Sequence, residues 1–427
     1  MGVVILFCLL FSFFESKSIS EQILTSREQK DRKFAGYIKA EYLFDTRQVD
    51  ALRSDQTLLY PRRKLPGSDE EDINAHKQLN MLSIESRLSY TLFTEKIKCL
   101  EIPARAVLEG DFWGRTPNSD DLPGGYRLRH SFIELHFKDV LFTLGQTWHP
   151  FTVTDCYPDT ISFNSGAPYE PTARNGGVIV KFTKEKIQLI SSLFSQLNFN
   201  NDGPRGFTNR YIREALMPDI HVQVRYMDEK NLFGVCYNIK RLMPRIVTNN
   251  GFSTNESIFS NAVSIFYGYT HPVFSFRSRY VWIQNGTEFF MVGGYGVHSI
   301  DQITDKRTYA NISTSNLWVD MDILLHDTVK PGLFIGYFYN HGSFQTILPD
   351  RIIDDVLIER RSYGIGQDIG QSVRVEPRLR LLYDPISFCF ELEMTAAAYG
   401  KPNEYKKIKN QQWVQNTRFA FSMFYKF

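Results

Sequence analysis

In the last eleven residues, TRFAFSMFYKF, large apolar side chains fall at every second position: Phe419, Phe421, Met423, Tyr425 and Phe427. Arg418, Ser422 and Lys426 are among the residues between them. Successive side chains of a strand point to opposite faces, so this pattern predicts a β-strand with one apolar and one mostly polar face. A run of aromatics up to the carboxylate suits a strand whose outer face meets lipid and whose end lies at a membrane interface.

The same alternation recurs upstream. Phe34, Ile38, Ala40, Tyr42 and Phe44 oppose Lys39 and Glu41; Leu82, Ile84, Leu88, Tyr90 and Leu92 oppose Glu85, Arg87, Ser89 and Thr91. Near 101–113, Ile102, Ala104, Ala106, Leu108 and Phe112 oppose Arg105, Glu109 and Asp111. Later runs set Phe274, Phe276, Tyr280 and Trp282 against Arg277 and Arg279, and Phe388, Phe390, Leu392 and Met394 against Glu391 and Glu393. A soluble sandwich needs one dry face per strand, whereas here the second face carries charge in strand after strand and therefore needs water. Pro377, within VRVEPRLRL, removes a ladder donor and predicts a bulge or a wide bond position.

Connections of two kinds take turns. Short turns fall near 94, 138, 183, 227, 270, 326 and 383, and longer segments at about 46–77, 114–125, 149–176, 198–217, 242–257, 284–313, 341–372 and 400–411. This predicts an all-β fold: a transmembrane antiparallel β-barrel of about 16 strands over residues 34–427, with short periplasmic turns, long extracellular loops and both chain ends on the short-turn side. After residue 18 there is no apolar block long enough for a membrane helix, and a lipid-spanning chain without one must close a barrel.

The first residues, MGVVILFCLLFSFFESKS, read as a secretory signal cleaved after about Ser18, although the n-region lacks Lys and Arg. Residues 19–33 are polar and read as a periplasmic segment, with Ile19, Ile23 and Leu24 giving a weak apolar stripe. The formal net charge of +2 argues neither for nucleic acid nor for a membrane surface. Five cysteines lack metal-ligand spacing; Cys236 and Cys389 fall on polar faces of strands far apart in order and are expected as free thiols.

No HExxH, GxSxG, Walker A or paired CxxC motif is present, so neither an enzyme nor a cofactor is expected. His130 and Ser131 are strand neighbours on opposite faces, which argues against a hydrolase pair. The arginines form the chemical signal. Arg87, Arg105, Arg127, Arg129, Arg225, Arg277, Arg279, Arg374, Arg378, Arg380 and Arg418 all fall on the polar face by alternation. Two readings stand for each one: pairing with a lumen carboxylate such as Glu85, Glu109, Asp111, Glu376, Glu391 or Glu393, or contact with a passing anion. As a set they outnumber those carboxylates, which predicts a positive pore lined by Arg87, Arg105, Arg127, Arg129, Arg277, Arg279, Arg374, Arg378 and Arg380. The loop at 149–176 carries Asp155, Asp159, Glu170 and Arg174, and its length marks it as functional. In position and length it resembles the third extracellular loop of sixteen-stranded general porins, which implies an inward fold that narrows the channel.

Several stretches carry a resemblance. LRHSFIELHFKDVLFTLGQTWHPF (128–151), FELEMTAAAYG (390–400), GRTPNSDDLPGGYRLRH after EGDFWG, and SRLSY near the start resemble the DcaP-like outer-membrane porins. The resemblance implies a homotrimer of sixteen-stranded barrels in the bacterial outer membrane that passes small anions, dicarboxylates among them, by diffusion. It also implies that Arg127, Arg129 and Arg174 line the narrow part. The expected partners are outer-membrane lipid and small anionic solutes. The rival expectation is a surface-binding or anchoring barrel that acts through its long loops; trimming 284–313 would abolish recognition and spare permeation.

Overall fold

A computed structural model of the chain describes residues 32–427, apart from 98–99, 116–122, 198 and 355. The signal and most of the periplasmic segment read from the sequence, together with Cys8 and Cys99, lie outside the described residues.

Sixteen strands close into one antiparallel barrel. In chain order they are β1 (Arg32–Asp45), β2 in two pieces (Gln78–Leu82 and Arg87–Thr94), β3 (Ala104–Arg115), β4 (Pro123–His136), β5 (Val140–Trp148), β6 (Arg174–Lys184), β7 (Ile187–Phe194) and β8 (Asp219–Met227). There follow β9 (Asn231–Leu242), β10 (Ile258–Thr270), β11 (Phe274–Gln284), β12 (Arg307–Ile323), β13 (Val329–Ser343), β14 (Ile369–Tyr383), β15 (Ile386–Pro402) and β16 (Ile408–Lys426). Each pairs with its successor, and β16 returns to β1 from Tyr37↔Lys426 to Asp45↔Arg418. The terminal aromatic strand thus closes the cylinder and leaves no unpaired edge. Among the described residues no helix is long and apolar enough to cross a membrane.

The apolar residues of the alternation stand outside, where Phe34, Ile38, Tyr42, Phe390, Phe419, Met423 and Tyr425 are exposed. Their polar neighbours turn inward, where Lys39, Glu41, Asp45, Glu391, Glu393, Arg418 and Ser422 are buried. Cys236 and Cys389 are buried, inward-facing free thiols, as is Cys156 of the third long loop.

Strand β2 departs from the expected phase. Glu41 pairs with Leu82 and Tyr37 with Arg87, so four steps along β1 face five along β2. The extra residue falls in the Ser83–Ser86 break and inverts the alternation. Leu79 and Met81 are the outward residues before it (61% and 62% exposed) and Leu88 after it, so Leu82 and Leu88 do not share a face. Pro377 causes no bulge: Val375↔Met394 and Arg378↔Glu391 keep one register, and the ladder to β15 skips Glu376 and Pro377.

Loop lengths segregate as the sequence predicts, except that the long segment expected at 400–411 is a short turn, 403–407, because β15 and β16 stay paired as far as Pro402↔Ile408. Short connections join β4 to β5, β6 to β7, β8 to β9, β10 to β11 and β14 to β15 on one rim, while the long segments 46–77, 149–173, 195–218, 243–257, 285–306 and 344–368 gather on the other.

Candidate functional site: the lumen and its inward loops

The third long loop, 149–173, runs inside the barrel, held on the wall by its own polar atoms. Glu170 accepts from Arg279 Nη1 (2.6 Å) and Trp318 Nε1 (2.8 Å), while Arg279 Nη2 donates to the Phe151 carbonyl (2.6 Å). Asp159 takes Lys330 Nζ at 2.7 Å and Arg380 Nη1 at 3.0 Å. The Ile161 and Ser162 amides donate to Glu391 (2.8 and 2.9 Å), and Asn164 Nδ2 reaches Glu376 (3.1 Å) and Glu393 (2.6 Å). Tyr169 lies over Gly336, where a Cβ would come within 2.6 Å of the ring, so that position admits no side chain without displacing the loop.

A second inward loop was not anticipated. Within 46–77 a hairpin of Val49–Leu52 and Thr57–Pro61 enters the lumen and buries Leu58, Leu59 and Tyr60. Arg374 ties the two loops together, donating to the Ala167 carbonyl (2.7 Å) and to those of Leu58 (2.8 Å) and Leu59 (3.0 Å). Arg418 pairs with Asp45 at 2.8 Å and donates to the Gln56 carbonyl at 3.3 Å.

The arginines singled out from the sequence consequently divide into two groups. Arg279, Arg374, Arg378 and Arg380 face inward but are engaged beneath the loops, Arg378 with Asp320 (2.8 Å) and Asp322 (2.7 Å). Arg277 joins that network through Asp320 at 3.0 Å and the Tyr157 carbonyl at 3.1 Å. On the opposite wall, Arg105 pairs with Glu134 (2.7 Å), Arg127 with Asp111 (Nε–Oδ1 2.9 Å), Arg129 with Glu109 (2.8 Å) and Asp111 (3.0 Å), and Arg87 lies 3.6 Å from Glu109. Arg174 stacks at 4.5 Å over Trp148. Of the loop carboxylates, Asp159 and Glu170 are spent on the wall, and Asp155 pairs with Arg225 at 2.7 Å.

Open space lies between this loop and the wall of β2–β8. A cavity of about 510 Å³ is lined by Arg105, Glu134, Lys181 and Arg225 beside the short turns. A second, of about 230 Å³, is lined by Arg53, Arg87, Arg129, Arg174 and the carboxylate of Glu85, together with Phe163, Phe199 and Phe290 from the long loops. Trp148 lines both. A bulge in β4 builds the junction: Glu109 faces His130 and Gly110 faces Leu128, leaving Arg129 as the extra residue. Arg129 and His130 are therefore both turned inward, one to each cavity, a re-aiming for which bulges beside functional sites are used. Sequence alternation could not reveal it. Arg53, too, was missed, because it lies in a polar turn with no periodicity.

No family model and no curated protein matches the chain. Solved structures do. The outer-membrane channel DcaP of Acinetobacter baumannii superposes with a TM-score of 0.67 at 12% identity, covering 94% of this chain and 99% of that one. OmpT of Vibrio cholerae superposes at 0.55 and 10% identity, covering 94% and 99%. The chain is thus a closed sixteen-stranded antiparallel β-barrel with the fold of outer-membrane channels.

Proposed function

We propose that the protein is a passive diffusion channel of the bacterial outer membrane for small hydrophilic solutes, favouring anions such as dicarboxylates. The observation that carries this reading is the asymmetry of the lumen. Asp159 and Glu170 are neutralised by wall cations. Of the four arginines around the smaller cavity near Trp148, by contrast, only Arg87 and Arg129 share wall carboxylates, Glu109 and Asp111, and among the described residues Arg53 and Arg174 have none within 4.0 Å. Fixed guanidinium groups in a narrow, partly desolvated passage attract oxyanions and need no cofactor or conformational step to do so. A homotrimer is part of the proposal, and an OmpT structure described as a trimer form shares the fold at a TM-score of 0.53.

The experiment is a planar-bilayer recording of the purified, refolded protein under a KCl gradient. Stepwise conductance with a chloride-favouring reversal potential is expected. A barrel that inserts and conducts without anion preference would remove the selectivity, and one that inserts without conducting would bring the loop-mediated binding reading forward.

A further inference from the structure

The tip of the first long loop brings a cation into the passage. Arg53, Ser54 and Asp55 have φ of 60°, 51° and 64°. Such left-handed backbone is unfavourable for residues other than glycine and persists where the surroundings over-determine it. Here the following limb of the hairpin is clamped by Arg374 and Arg418, which donate to the carbonyls of Leu58, Leu59 and Gln56.

The clamped tip delivers the Arg53 guanidinium into a cage of rings. Its centre is 5.8 Å from Trp113, 5.7 Å from Phe163, 5.5 Å from Phe199 and 5.7 Å from Phe290. Arg174 shares Phe199 at 5.7 Å and lies 4.5 Å over Trp148. Ring faces attract and orient a cation but carry no net charge, so they do not neutralise it. Each of the eleven inward arginines read from the sequence has a carboxylate within 4.0 Å. Among the described residues Arg53 and Arg174 have none, and both line the same 230 Å³ cavity.

Desolvated charges are ordinarily paired. The carboxylate in the cavity lining, Glu85, is engaged by Lys39 and by the Tyr37 hydroxyl. Two guanidinium groups without a carboxylate of their own therefore face one small cavity and leave an anion as the missing partner. We infer that Arg53 is a selectivity residue of the passage and that, together with Arg174, it holds a small oxyanion in transit. The first loop is then part of the filter. This inference rests on the channel reading above.

The test compares wild type, Arg53→Gln, Arg53→Lys and Arg129→Gln in planar bilayers, with reversal potential under a KCl gradient and block of chloride current by sodium succinate as readouts. Barrel folding is checked by heat-modifiable gel mobility. Arg53→Gln is expected to weaken succinate block about tenfold, the loss typical of one charge-assisted contact, and to move the reversal potential toward zero. Arg53→Lys is expected to retain the reversal potential and part of the block. A folded Arg53→Gln channel with wild-type block and potential, while Arg129→Gln shifts both, would overturn the role of Arg53 and leave the channel reading standing. Larger conductance with unchanged selectivity would overturn it too, because Arg53 would then only fill space. Absence of anion preference in the wild type would instead overturn the reading underneath.

Discussion

Glu170 and Arg279 form an ion pair of 2.6 Å in which both side chains are fully buried, and it joins the end of the third long loop to the middle of β11. The remaining polar capacity of the pair is also used: Trp318 Nε1 donates to the second Glu170 oxygen, and Arg279 donates to Ser264 and to the Phe151 carbonyl. Removing one member strands the other charge away from bulk water, which costs about 3–5 kcal/mol, whereas replacing both by apolar groups is often neutral. Glu170→Ala is therefore expected to lower the temperature at which the barrel loses heat-modifiable mobility and to give noisier, larger single-channel currents. A Glu170→Leu/Arg279→Met double variant should recover most of the thermal loss. Equal losses in the single and double variants would show that the pair does not pin the loop.

Gly336 offers a second handle on the same loop. A Cβ there would lie 2.6 Å from the Tyr169 ring, whose hydroxyl is hydrogen-bonded to Ser372 at 2.7 Å. Gly336→Val forces the ring off the wall, at a cost of about 1–3 kcal/mol for overpacking. Proteolytic cleavage within 149–173 is expected to accelerate, and an unchanged digestion pattern would mean that Tyr169 does not anchor the loop.

The two groups of arginines should respond differently to neutralisation. Arg129→Gln removes charge from the wall of the open cavity and is expected to shift the reversal potential toward zero. Arg378→Gln leaves Asp320 and Asp322 short of a partner beneath the loop, so it is expected to lower thermal stability with little change in selectivity. Equal shifts in reversal potential would show that burial beneath the loop does not screen Arg378 from the passage.

Three long loops are tied together at their rim. Arg245 binds Glu256 (2.8 Å) and Asp305 (2.7 Å), Arg307 reaches Asp305 (2.9 Å) and Glu359, and Arg361 adds 2.8 Å to Glu359. Burial alone would raise these three carboxyls, but hydrogen bonds from Arg245, Arg307 and Arg361 outweigh it and hold Glu256, Asp305 and Glu359 below the usual carboxylate range. A depressed folded-state value stabilises above the ordinary pKa of about 4, and that stabilisation is lost as pH falls through the depressed value. Hydrogen exchange in 243–257, 285–306 and 344–368 is therefore expected to rise, after correction for intrinsic rates, as pH drops from 5 toward 3. Glu256→Gln should show the raised exchange already at neutral pH. Protection independent of pH in both proteins would exclude the network as the loop tie.

Period-two alternation, loop lengths that take turns and the aromatic terminus were enough to determine sixteen strands, their direction and the face of nearly every side chain, because strand geometry admits only two faces. Even so, the β2 break and the Arg129 bulge escaped, since one inserted residue inverts a face and leaves no local signature. What only the tertiary structure decided is which inward arginines border open space. Arg279, Arg374 and Arg378 share the alternation of Arg87 and Arg105, yet two loops distant in sequence cover them, whereas Arg53 reaches the cavity from a turn with no periodicity. Alternation is a property of neighbouring residues; coverage depends on where remote loops come to rest, and that is settled by the wall groups that bind their carbonyls and carboxylates.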